Sequence, residues 1–200
     1  SLWGTWNVGW HKNQTIKIQP TGNVSGHYNT TNNGDGTYTI VFQPNATYGK
    51  DSYVFVTIPN QNYDGNNLAL YGSAGYRYSL LEFDTSLLSY LSSIANLTIL
   101  NANLTIIKSA EAQGGITYST SITRLLGSWN ETGPPGYNVT WNNQPPKSSA
   151  YFSNTIPEFV GEPLSYDITN MVREWVNKTY NNYGALIDAS WSGGDINYFY

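Results

Sequence analysis

Nine asparagines stand two residues ahead of a Ser or Thr: Asn13, Asn23, Asn29, Asn45, Asn96, Asn103, Asn130, Asn138 and Asn177. That spacing is the acceptor motif for N-linked glycans and marks an exposed segment of a secreted protein. With 24 Asn and 39 Ser plus Thr in 200 residues, roughly five such motifs are expected by chance. Composition therefore accounts for about half of them. In Ala102-Asn103-Leu104-Thr105-Ile106 the apolar residues share one face of a strand and Asn103 takes the other. Asn138 precedes Val139-Thr140-Trp141 in the same phase. Covalent N-linked glycans are the expected attachment, and no cofactor is expected.

A second chemistry is suited to sugars held without a covalent bond. Exposed aromatic rings beside amides do this work, and Tyr180-Asn181-Asn182-Tyr183 with Trp191 supplies both. Trp141 and Trp175, in contrast, are in phase with apolar neighbours and read as core. Hydrolysis of a glycosidic bond needs two carboxylates across a cleft. Glu82 and Asp84 lie on one face of a strand, with Arg77 or Arg124 as ordinary partners for Glu82, and Glu174 falls on the polar side of a helix. An enzyme is not expected. His11, His27 and the absence of Cys make no zinc site. Asp64-Gly65-Asn66-Asn67 lacks the acidic ladder of a calcium loop, so no metal is expected. Lys12, Lys17, Lys50 and Lys108 are candidates, by position only, for an isopeptide cross-link in a chain without disulfides.

Composition bounds these readings. Charged residues make up 11% of the chain, aromatic ones 15%, and the net charge is −4. Such a chain lacks the basic stripe of a nucleic-acid binder. It also lacks an apolar run of about 18 residues that would cross a membrane as a helix. Few carboxylates are available to protonate, and this predicts an acid-stable extracellular protein. The chain begins at Ser1, as expected after removal of a signal peptide, although trimming would look the same.

The elements that must position these residues are mostly strands. Alternating or β-rich runs occur at 15–19, 37–43, 52–58, 66–71, 77–83, 98–107, 115–124, 137–141, 184–190 and 196–200. Turn residues punctuate them, as in Asn33-Gly34-Asp35-Gly36 and Gly133-Pro134-Pro135-Gly136. About ten strands at this spacing predict an all-β, antiparallel β-sandwich. Two short helices are predicted. One follows Asp84-Thr85-Ser86 and carries Leu87, Leu88, Leu91 and Ile94. The other follows Asp167, with Ile168, Met171, Val172, Trp175 and Val176 as its apolar stripe and Arg173, Glu174 and Lys178 toward water.

Several segments carry a family likeness in order: Asn66-Asn67-Leu68-Ala69-Leu70-Tyr71-Gly72, Arg77-Tyr78-Ser79-Leu80-Leu81-Glu82-Phe83-Asp84, Asn103-Leu104-Thr105-Ile106, Trp129-Asn130-Glu131, Val139-Thr140-Trp141-Asn142-Asn143-Gln144-Pro145, Tyr166 to Trp175, and Asn182 to Ile187. From about residue 64 the chain resembles the disaggregatase-related (DNRLRE) β-sandwich family, some members of which are carbohydrate-binding modules. Glu82 departs from the pattern, in which a basic residue is common. As a whole the chain resembles the subunit family of the archaeal thread, a surface filament of thermoacidophiles.

That second resemblance implies a division into a donor tail, 1–12, and a single β-sandwich domain, 13–200. Leu2, Trp3, Trp6, Val8 and Trp10 would enter the sandwich of the next copy by donor-strand complementation. Such a contact repeats head to tail as a homopolymer. The implied function is an extracellular, N-glycosylated filament for adhesion or biofilm formation, with other cells or surfaces as further partners. The simpler alternative pairs the tail within its own molecule. The alternative function is a carbohydrate-binding module of a secreted or cell-surface protein.

Overall fold

The computed structural model describes residues 13–19, 29–33, 35, 38–42, 50–55, 62–63, 68–71, 77–82, 85–111, 118–131, 139–190 and 196–199. The tail positions Leu2, Trp3, Trp6, Val8 and Trp10 lie outside these residues. So do Lys12, Asn23, Asn45, Asn138, Trp191 and the segment Asp64-Gly65-Asn66-Asn67.

The described chain is an antiparallel β-sandwich closed at one end by two short helices. Its strands are β1 (Asn13–Gln19), β2 (Asn29–Asn32), β3 (Tyr38–Phe42), β4 (Lys50–Phe55), β5 (Asn62–Tyr63), β6 (Leu68–Tyr71), β7 (Arg77–Glu82), β8 (Thr98–Glu111), β9 (Ser119–Leu125), β10 (Lys147–Thr155), β11 (Pro163–Asp167), β12 (Ala185–Ser190) and β13 (Ile196–Phe199). The helices are α1 (Thr85–Ser93) and α2 (Thr169–Val176). One sheet runs β2-β3-β1-β8-β11. The other is built on β10-β9-β12-β7, with β4 and β5 beyond β7 and with β6 and β13 leading back to β8. The long β8 therefore serves both sheets: 98–107 pairs with β1 and β11, and 108–111 pairs with β13.

Alternation places the core. Ala102, Leu104, Ile106 and Lys108 of β8 are buried, while the residues between them are only half-covered. A bulge where Lys17 faces Asn101 and Ile18 faces Ile99 leaves residue 100 over. It resets the phase, so Ile99 and Ala102 are both buried despite their odd spacing. Leu164 and Tyr166 of the neighbouring β11 extend this face, and Ile122 of β9, Ala185, Ile187 and Ala189 of β12 and Leu81 of β7 in the other sheet join it in one core. Each large side chain so buried is worth about 1.5–3 kcal/mol. A smaller cluster forms on the other side of the second sheet. There Leu80, Leu186 and Leu125 are covered by Trp129 and Val139.

Helix α2 forms where the stripe Ile168, Met171, Val172 and Trp175 turns inward. Asp167 Oδ1 accepts the Thr169 N–H at 2.8 Å, as its place ahead of the helix predicts. Gly184, at the entry to β12, has φ +87°, and a Cβ there would lie 1.9 Å from the Leu81 carbonyl oxygen. Only glycine fits both the backbone angle and the close approach.

Two expectations about the elements change. Of the run 137–141, the described residues 139–141 form no strand: Trp141–Asn143 is a 3-10 turn. Its local bonds explain this, because Asn143 Oδ1 accepts both the backbone N–H and the hydroxyl of Thr140. Strands β2, β5, β10 and β11 were not anticipated. Arg173 is exposed, as expected, and also donates through Nε and Nη2 to the Ile99 carbonyl at 2.9 and 2.7 Å, clipping α2 to β8.

Candidate carbohydrate site

The chain leaves α2 through a cap that fixes the turn beyond it. Asn177 N–H and Lys178 N–H donate to the carbonyls of Arg173 and Trp175, and Lys178 takes a left-handed φ of 56°. Gly184 supplies the left-handed residue at the far end of this segment. Residues 178–182 are thereby laid against α1, and a groove of about 480 Å³ opens between them. Leu88, Ser89, Ser92 and Ser93 form one wall; Lys178, Tyr180, Asn181 and Asn182 form the other, with Trp175 between. The volume lies in the roughly 300–1,000 Å³ range of small-ligand sites.

Tyr180 is 45% exposed, and its position is set from behind. The Arg124 guanidinium carbon lies 3.4 Å from the centre of its ring, a cation–π contact. Arg124 is itself buried, bonded through Nη1 to Tyr151 Oη and paired with the Glu174 carboxylate. Tyr151 Oη in turn donates to Glu174 Oε2 at 2.5 Å. Burial, reinforced by that hydrogen bond, pushes the Tyr151 phenol up to about 12, so it keeps its proton as a donor. Glu174 is thus tied into the fold and is not a solvated helix residue, contrary to expectation. Arg124 serves Glu174 and not Glu82.

Polar groups converge on the groove. Ser92 Oγ donates to the Leu88 and Val176 carbonyls at 2.8 and 3.0 Å and joins the two helices. Asn181 Nδ2 donates to Tyr183 Oη at 2.9 Å, and Asn182 Oδ1 accepts the Gly184 N–H at 3.0 Å. Amides held in this way present fixed carbonyl and N–H groups. An aromatic face, serine hydroxyls and oriented amides are the groups that bind a polyhydroxylated ring.

The other singled-out residues scatter. Asn96, Asn130 and Asn177 are exposed. Asn103 is half-buried on β8, where its Nδ2 donates to Asn101 Oδ1 at 2.6 Å. Asn13 and Asn29 lie in β1 and β2, whose side chains are outside the described set, as are those of Lys17 and Lys50. Lys108 is fully buried and its Nζ donates to the Pro157 and Glu158 carbonyls at 3.0 and 2.9 Å. Trp175 is buried as expected, but Trp141 is only half-buried and stacks against Tyr78. Among the described residues no three His, Cys, Asp or Glu converge as a metal site, and no helix is long and apolar enough to cross a membrane.

Sandwich and groove together define a β-sandwich binding module with an aromatic and amide lining. The model of carbohydrate-binding module family 96 matches residues 45–199, and the chain belongs to that family. No curated protein matches the chain. The family match corrects the filament reading. A ligand-binding fold accounts for residues 45–199, and the tail residues on which a head-to-tail homopolymer depended lie outside the described chain.

Proposed function

We propose that this protein is a non-catalytic carbohydrate-binding module of a secreted or cell-surface protein, and that it holds a glycan in the groove between α1 and residues 178–182. The family match over residues 45–199 carries the reading. The groove supports it: a half-exposed Tyr180 backed by Arg124, three serines and two oriented asparagines line it. Among the described residues no carboxylate lines the groove, which favours holding a sugar over hydrolysing it. An extracellular or surface location follows from the same reading, because that is where polysaccharide is met.

Affinity electrophoresis through gels containing single polysaccharides tests this. The chain is expected to be retarded by at least one of them. Tyr180→Ala is expected to lose at least tenfold in affinity while keeping the melting temperature within a few degrees. Equal migration of wild type in every gel would overturn the proposal.

A further inference from the structure

The outward side of the second sheet carries another aromatic and charged cluster, which shares no residue with the groove. Tyr78 of β7, Ser121 of β9 and Asp188 of β12 meet Lys147, the first residue of β10. Lys147 Nζ donates to Asp188 Oδ2 at 2.7 Å and lies 4.5 Å from the centre of the Tyr78 ring. Ser121 Oγ donates to Asp188 Oδ1. Trp141 completes the group, its ring centre 4.7 Å from that of Tyr78 at a tilt of 38°.

Two properties of this cluster point to a ligand. The ion pair is wet: its side chains are 32% and 23% exposed. Such a pair adds little to stability and can share its hydrogen bonds with an incoming group at small cost. The pair also offers both kinds of polar contact. An ammonium has three donors, and Asp188 takes one of them. A carboxylate has about four lone-pair sites, of which Lys147 and Ser121 occupy two. A neighbouring donor and acceptor with no net charge match two adjacent hydroxyls of one sugar ring. The half-buried Trp141, reached through its contact with Tyr78, offers an apolar surface to the C–H side of that ring.

We infer that Tyr78, Trp141, Lys147 and Asp188 form a second glycan subsite on the outer face of the sandwich, selective for uncharged sugars. The selectivity follows from Asp188, which repels a sugar carboxylate, and from Lys147, whose charge Asp188 already balances. The inference rests on the carbohydrate-binding reading but not on the groove.

The test is a titration of the ¹⁵N-labelled chain, followed at the Trp141 indole N–H and assigned with Trp141→Phe. The probes are a β-1,4-linked glucose hexamer, a mannose hexamer and a uronic acid hexamer. A neutral hexamer is expected to shift the Trp141 signal saturably, equally in wild type and Tyr180→Ala, while the uronic acid hexamer does not. Lys147→Met and Asp188→Asn are expected to weaken this response at least tenfold. Lys147→Met stands in for Asp188→Asn should the latter misfold. If neutral hexamers move only signals of the groove, the second subsite is refuted and the groove reading survives. A Trp141 response to the uronic acid hexamer alone refutes the selectivity and with it the proposal. Silence throughout the spectrum with all three probes refutes the subsite, and absence of retardation in the polysaccharide gels then removes the carbohydrate reading as well.

Discussion

Two tyrosines in this protein each carry a cation over the ring and a carboxylate beyond the cation, yet the two assemblies do opposite work. Behind Tyr180, Arg124 is packed into the sandwich beside Tyr151, and its partner Glu174 is half-buried. Beside Tyr78, Lys147 and Asp188 sit at the surface. Burial of the cation decides the difference: Arg124 is 5% exposed and Lys147 32%. A charge taken out of water must keep its partner, so the inner assembly is rigid and fixes a ring at the groove. A charge left in water exchanges partners cheaply, so the outer assembly remains open to a ligand.

The contrast is broken most sharply at Arg124. Arg124→Met removes the buried cation and leaves the half-buried Glu174 carboxylate with Tyr151 alone, and a loss of about 1.5–3 kcal/mol is expected in urea unfolding. Adding Glu174→Leu is expected to return much of that stability without returning the tight placement of Tyr180. Stability and glycan affinity then separate, with stability partly restored and affinity still low.

Alkaline pH sharpens the same point. Tyr151 holds its proton in the native state up to about 12, whereas an unfolded chain releases it near 10. Above that lower value the unfolded state binds fewer protons than the native state, so stability falls as pH rises from about 10 to 12. Tyr151→Phe is expected to flatten this part of the stability profile. At the outer pair Lys147→Met is expected to cost no more than about 1 kcal/mol. A larger loss would show that the pair is structural clamping and would weaken the case for a shared ligand. Smallest of all is the effect of attached glycans on stability. If the chain is glycosylated, peptide mapping is expected to find Asn96, Asn130 and Asn177 occupied ahead of Asn103, which lies half-covered on a strand paired on both sides.

Much of this fold was legible because period-two patterns in strands and a 3.6-residue stripe in α2 survive in the sequence. Ala102, Leu104 and Ile106 announce β8, and Ile168, Met171, Val172 and Trp175 announce α2. Strands β10 and β11 were missed for a physical reason. Lys147–Thr155 has a polar sequence and sits at a sheet edge, so it is a strand because β9 offers hydrogen bonds and not because of its own pattern. Leu164 and Tyr166 are buried in a strand of only five residues, too short for alternation to stand out.

The site was half legible. Tyr180, Asn181 and Asn182 were found from their residue types, but the groove also needs Ser89, Ser92 and Ser93 from α1, some ninety positions earlier. Arg124 was open to detection. It falls in phase with the buried Tyr118, Thr120 and Ile122, an inward place where a charge must find a partner. The filament reading went astray at the other end, by resting function on the Trp-rich tail and not on the sandwich that the family match covers.

Calorimetric titration of the purified chain with the oligosaccharide of whichever polysaccharide retards it most addresses the central claim directly. Saturable binding that Tyr180→Ala and Arg124→Met both weaken at least tenfold is the predicted result. Binding unchanged in both variants would contradict the groove as the place where sugar is held.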